Sequence, residues 1–173
     1  MRIGIIFLYL LVAITLTAQN RNPFSSLQYD RVIFYDFGEE AEKGGLIINE
    51  EGNFVRNILH QVRLDDATIK TLNAKLGLKK SYGNGTAACF DPHCGFVYFL
   101  RNKPVAQISI CLGCNRLYST KKIPAQKQGK HGKGKEAYYT LNGMSKSFRK
   151  YLNGLLIRYK FGQQLKPGSH FDE

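Results

Sequence analysis

A chain of 173 residues suits one domain of ordinary size. Its formal net charge of +12 is unevenly spread: residues 19–114 hold 11 Lys/Arg against 10 Asp/Glu, whereas residues 115–173 hold 13 against 3. The basicity belongs to the C-terminal third and points to an anionic partner for residues 115–166, of glycan, lipid-headgroup or acidic-protein type.

The chain opens MRIGIIFLYLLVAITLTAQN. Arg2 supplies a positive start, Ile3 to Leu16 an apolar run, and Thr17-Ala18 small residues for cleavage. This is the grammar of a secretory signal peptide over residues 1–18. The run is shorter than the ~20 residues a membrane span needs, and no later segment is apolar enough for one. Residues 19–173 are therefore read as one secreted or periplasmic domain with no transmembrane span after cleavage. Export also sets the redox context: an oxidising compartment and an even number of cysteines, four, favour disulfides.

QYDRVIFYDF (28–37) is β-branched and aromatic and predicts a strand. GLIINEEGNFVRNILHQVRL (45–64) predicts a hairpin that turns at Glu50-Glu51-Gly52-Asn53. DDATIKTLNAKLG (65–77) predicts a helix. Asp65 or Asp66 caps it, Ile69, Leu72 and Leu76 recur at helical spacing, and Gly77 ends it. Residues 78–88 read as a loop and carry the glycosylation sequon Asn84-Gly85-Thr86, which matters only in a host that modifies it.

CFDPHCGFVYFLRNKPVAQISICLGC (89–114) holds every cysteine of the chain and His93. GFVYFL and VAQISIC read as two strands of a hairpin. With Asn102-Lys103 as the loop, or residues 101–104, Phe99 faces Ala106, Val97 faces Ile108 and Gly95 faces Ile110 on a core-facing side. Tyr98 opposite Gln107 and Phe96 opposite Ser109 make a half-exposed side. The same register sets Cys94 opposite Cys111 and Asp91 opposite Cys114, with Cys89 two residues beyond. The four sulfurs and His93 then converge at the open end of the hairpin. Residues 115–124 are expected to make at most a short turn. Residues 121–136 (KKIPAQKQGKHGKGKE) read as a flexible basic loop, with Lys121, Lys122, Lys127, Lys130, Lys133 and Lys135 as anion-binding candidates. SKSFRKYLNGLLIRYKF (145–161) predicts an amphipathic helix capped by Ser145 or Ser147, with Phe148, Leu152, Leu155, Leu156 and Tyr159 on its core face. The sum is α+β: a single domain, an antiparallel sheet with about two packed helices.

Three chemistries fit the cysteine cluster. Disulfides Cys94–Cys111 and Cys89–Cys114 would staple the hairpin base. Cys89-x4-Cys94 and Cys111-x2-Cys114, or three of these thiolates with His93, would make a closed tetrahedral shell for structural zinc. Cys111-Leu112-Gly113-Cys114 has redox spacing but lacks the following helix that lowers a thiol pKa.

CFDPHCGFVYF, VAQISICLGCN and GMSKSFRKYL together resemble an uncharacterised family of small secreted bacterial proteins. Its pattern is C-F-x-P-R/H-H-G-I/L-V-F-Y/F, then I-C-F/L-x-C, then a terminal helix opening G-F/M-S. The resemblance covers about half of residues 19–173 and implies kinship and export, with no established activity. Where the family pattern has His, this chain has Cys94. A Cys-for-His exchange keeps a zinc ligand and loses a disulfide partner, so the resemblance raises metal binding level with stapling.

Enzyme signatures are incomplete. GKHGKGK (129–135) has Gly129, Gly134 and Lys135 at phosphate-loop spacing, but Glu136 stands where Ser or Thr would hold magnesium. His60, His131 and His170 stand outside any catalytic motif, and Asp65-Asp66 read as helix-cap acids. Basic and aromatic residues alternate at 148–151 and 158–161, yet the aromatics fall on the core face of a helix, so a nucleic-acid partner is not expected. The sequence leans toward an exported, non-enzymatic binding or envelope-associated module that carries either no cofactor or a structural zinc. The alternative is a thiol- or metal-dependent enzyme centred on Cys89, His93, Cys111 and Cys114.

Overall fold

The computed structural model describes residues 22–41, 45–131, 133–136 and 138–166. The proposed leader and His170 lie outside them. In chain order the elements are β1 (Arg31–Ala41), β2 (Arg56–Arg63), α1 (Asp66–Gly77), β3 (Tyr82–Asn84), β4 (Cys94–Leu100), β5 (Lys103–Cys111), β6 (Arg116–Ser119), β7 (Gln128–His131), β8 (Tyr138–Leu141), β9 (Gly143–Met144) and α2 (Lys146–Arg158). Five strands form an antiparallel sheet in the order β2-β1-β4-β5-β6, while β3 pairs with β9 and β7 with β8. The domain is α+β, as its sequence pattern indicates. Among the described residues no helix is long and apolar enough to cross a membrane.

β1 and β4 are apolar on both sides because both sides are covered. Val32, Phe34, Phe96 and Tyr98 face a main core shared with Ile69, Leu72 and Leu76 of α1 and Phe148, Leu152, Leu155 and Leu156 of α2. Phe34 stacks on Phe96 at 4.3 Å and on Phe161 at 4.5 Å between ring centroids. Each such ring contributes roughly 2–3 kcal/mol by leaving water. Tyr35, Phe37, Val97 and Phe99 face the opposite way and pack on Ile47 and Ile48.

The helices begin where their caps say. Asp65 accepts from the Thr68 backbone N–H at 2.8 Å and from the Thr68 hydroxyl at 2.9 Å. These bonds hold its carboxyl below the ordinary aspartate range. Ser145 caps α2 by accepting from the Phe148 N–H at 3.4 Å.

Four expectations need correction. The first arm of the 45–64 hairpin is not a sheet strand. The turn forms at residues 49–53, closed by an Ile48–Phe54 bridge, but β2 takes β1 as its partner. Residues 45–48 instead lie across the second face of the sheet. Gln107 holds them there, its Oε1 accepting from the N–H groups of Ile47 and Ile48 at 3.0 and 2.9 Å and its Nε2 donating to Ile48 O at 2.7 Å. Ser109 adds a bond from its hydroxyl to Gly45 O at 2.6 Å. The side expected to be half exposed is thus covered.

The β4–β5 register also differs. The loop is Arg101-Asn102, with φ of 49° and 66°, as a two-residue type I′ turn requires. It pairs Leu100 with Lys103. A bulge between Tyr98 and Phe99 then sets Tyr98 opposite Ala106, Phe96 opposite Ile108 and Cys94 opposite Ile110. A one-residue slip exchanges the faces, so Phe96 and Tyr98 point to the main core and Cys94 does not oppose Cys111. Third, residues 116–119, expected as no more than a turn, form β6, with Arg116 opposite Cys111. Fourth, the stretch read as loops includes β3 within 78–88 and β7 within 121–136. Both are short: β3 pairs with the distant β9, and β7 with β8, which follows it in the chain.

Candidate functional site

The cysteines meet where β4 begins and β5 ends. Residues 112–115 turn tightly between β5 and β6, and Asn115 takes φ 53° to close the turn. Its side chain is buried and donates to Gly85 O at 2.7 Å and Met144 O at 3.0 Å. Within the turn the Cys114 N–H donates to Cys111 Sγ at 3.1 Å.

Residues 85–93 have no regular structure and are fastened across this turn. Ala87 N–H donates to Cys114 O at 3.0 Å. Arg116 donates to the carbonyls of Ala88 and Cys89 at 2.9 and 3.1 Å and lies over the Phe90 ring. Cys89 is thereby carried onto the turn, near enough to Cys114 for the two thiols to influence each other's protonation, as Cys111 also influences Cys114. Cys94 is buried beside Cys111 and Asp36, with its Sγ 4.0 Å from Ile110 O.

The five candidates of the sequence, Cys89, His93, Cys94, Cys111 and Cys114, therefore share one cleft of about 380 Å³, closed on one side by residues 163–165. All four cysteines are free thiols, Cys89 exposed and the others buried. Asp91 Oδ2 lies 3.2 Å from His93 Nε2, and the buried His93 Nδ1 has no partner among the described residues. Among the described residues no three His, Cys, Asp or Glu side chains are arranged, as they stand, to hold a metal ion.

Electrostatics favour the protonated thiol at Cys89, Cys94 and Cys114. The hydrogen bond with Cys114 pushes the Cys89 thiol up, aided by desolvation. Burial pushes Cys114 up, and the Cys111 thiol adds to it. Burial raises Cys94 well above the ordinary thiol range, reinforced by the charges of Asp36 and Cys111. A raised thiol pKa is the opposite of what a nucleophilic or redox-active cysteine needs at neutral pH.

Two buried charged residues at this end escape a sequence reading. Arg149, placed by its type among the lysines of α2, is 1% exposed and donates to Leu112 O in the Cys111–Cys114 turn at 3.2 Å. Its position between Phe148 and Leu152, on the edge of the apolar stripe, is the signal that was available. Asp36 interrupts the apolar run of β1. It lies opposite Cys94 and accepts from the Gly162 N–H at 2.9 Å through Oδ2, while its buried Oδ1 has no partner among the described residues.

The basic candidates lie elsewhere. Lys121, Lys122, Lys127, Lys133 and Lys135 are exposed, and the side chains of Lys130 and His131 lie outside the description. Lys121 lines an open cleft together with Glu50 and Glu51. His60 is exposed on β2 and packs edge-on against Phe161. Comparison of the chain with protein-family models, with curated proteins and with solved structures finds no match.

Proposed function

We propose that this is an exported, non-enzymatic binding or envelope-associated module, in which the cysteine cluster is a structural cross-link and the basic C-terminal third meets an anionic partner. Kinship with the small secreted bacterial family belongs to the same proposal. One observation carries it: Cys89 and Cys114 line the same cleft where the irregular 85–93 segment, fastened by the Ala87 N–H to Cys114 O, crosses the β5–β6 turn. In an oxidising compartment these two thiols lose two hydrogens to a disulfide-bearing oxidant and form the staple. Closing the loop from Cys89 to Cys114 contributes about 3 kcal/mol by restricting the unfolded chain. Cys94 and Cys111 remain thiols in this reading, because the observed register turns Cys94 toward Ile110.

Structural zinc is the second reading. Its support is that Cys89, Cys94, Cys111, Cys114 and His93, all of them zinc-ligand types, line one cleft. It needs Cys89, Cys114 or His93 to rotate onto a common centre. The enzyme alternative has the Asp91–His93 contact in its favour and the raised thiol pKa values against it.

Intact mass of the exported protein, prepared without reductant or chelator and alkylated after denaturation, decides among these. The expected result is a mass two hydrogens light, with alkyl groups on Cys94 and Cys111 only. Four alkylated thiols and one zinc lost on denaturation would replace the staple by the metal site. Four alkylated thiols without metal would sink both cross-link readings.

A further inference from the structure

A second cleft, of about 870 Å³, runs along α2 on the other side of the 161–166 segment. Lys146, Lys150, Asn153 and Ile157 line it from the helix. Steps of four, three and four residues put these side chains in one stripe, cationic toward the helix start and apolar toward its end. Ile157 is 56% exposed, an apolar side chain that the core leaves uncovered.

The facing wall is the chain that follows the helix. Lys160, at φ 57°, turns it back, and the Phe161 N–H donates to Leu156 O at 2.9 Å. Leu165 exchanges two bonds with Asn153, its N–H donating to Oδ1 at 2.8 Å and its carbonyl accepting from Nδ2 at 3.3 Å. The segment therefore runs antiparallel to α2. Phe161 falls beside the Ile157 end and Lys166 toward the Lys150 end. Charge and apolarity are segregated along the cleft, and none of the described residues lining it is acidic. The helix stripe from Lys146 to Ile157 spans roughly 16 Å at the rise of an α-helix.

A sulfated glycan would use cations along the whole length, and an acidic peptide would leave the Ile157 end idle. An amphiphile lying lengthwise uses both ends. We propose that this cleft binds a single monomeric acyl chain ending in a carboxylate, its head at Lys150 and Lys166 and its chain along Leu165 and Ile157. The inference deepens the anionic-partner part of the proposed function and is independent of the cysteine cross-link. Its lysines are not those of the 121–135 stretch.

Calorimetric titration with dodecanoate below its micelle concentration tests it, with neutral dodecyl maltoside, a sulfated polysaccharide and anionic phospholipid vesicles as comparison probes. The variants are Ile157→Gln and the double variant Lys150→Glu/Lys166→Glu, all at exposed positions, with thermal melts confirming that both fold. One dodecanoate per chain is expected, weakened about tenfold in each variant and about tenfold weaker for the maltoside. No saturable binding, equal affinity for the maltoside, or an affinity that either variant leaves unchanged overturns the inference. Binding to vesicles without binding to dodecanoate overturns it in favour of a membrane surface. Polysaccharide binding that both variants retain, with no dodecanoate binding, sinks this inference while leaving the anionic-partner reading intact. If no anionic probe binds, that part of the proposed function falls too.

Discussion

The Tyr98 hydroxyl has to find a partner inside the main core, and it donates to Asn73 Oδ1 at 2.7 Å. Asn73 in turn donates to Phe24 O and to the Tyr29 hydroxyl, both at 3.3 Å, so one buried amide ties α1, β4 and residues 24–29 together. Burial pushes the Tyr98 phenol well above the ordinary tyrosine range, and the neighbouring Tyr29 and Tyr151 add to it. Tyr98→Phe leaves Asn73 Oδ1 buried and unsatisfied, so urea unfolding should show a loss of about 1–2 kcal/mol. In the Asn73→Ala background the same change should cost much less, because the orphaned acceptor is gone. An equal loss in both backgrounds would mean that the bond contributes nothing. At this scale the sequence was legible for the caps and the apolar anchors of both helices. It was silent on Asn73, Gln107 and Arg149, since a polar side chain is buried only when a distant backbone group waits for it.

At the scale of elements, the β4–β5 hairpin decides the most. Its turn places Arg101 and Asn102 in the left-handed region, which suits asparagine and glycine and penalises arginine. Arg101→Asn should therefore raise stability by about 0.5 kcal/mol, read as a higher urea midpoint with an unchanged slope. A destabilised variant would show that the arginine side chain contributes more than the turn costs. The two strands were readable as strands, but their register was not. Pro104 and Val105 spread across a bulge, and one extra residue exchanges the two faces of everything beyond it. The cysteines still converge, because both strand ends lead to the same edge whatever the phase of the pairing.

For the whole molecule, the critical joint is where β9, the 85–93 segment and the β5–β6 turn cross. A Cβ on Gly143 would stand 2.6 Å from Asn115 Nδ2 and 2.6 Å from Gly85 O, so no side chain fits there. Gly143→Ala should cost about 2 kcal/mol through overpacking. It should also loosen the 85–93 segment, seen as faster alkylation of Cys89 under reducing conditions. Wild-type alkylation rates in this variant would mean that the joint yields without disturbing the cysteine cleft. The second cleft has a more local origin: it exists because residues 161–166, which directly follow α2, fold back along it.

The sequence by itself determined the α+β class, both helices and their buried faces, the two strands β4 and β5, and the gathering of the cysteines at one end of their hairpin. Each of these follows from periodicity, caps and chain proximity, which are local. Only the tertiary structure decided which face of β4 meets the helices, that β2 pairs with β1, and that residues 45–48 cover the second face through Gln107 and Ser109. It alone set Cys94 opposite Ile110 instead of Cys111 and opened the basic and apolar cleft beside α2. The physical reason is the same throughout: register, burial of polar groups and cleft formation depend on how segments pack against one another, and no local pattern records them.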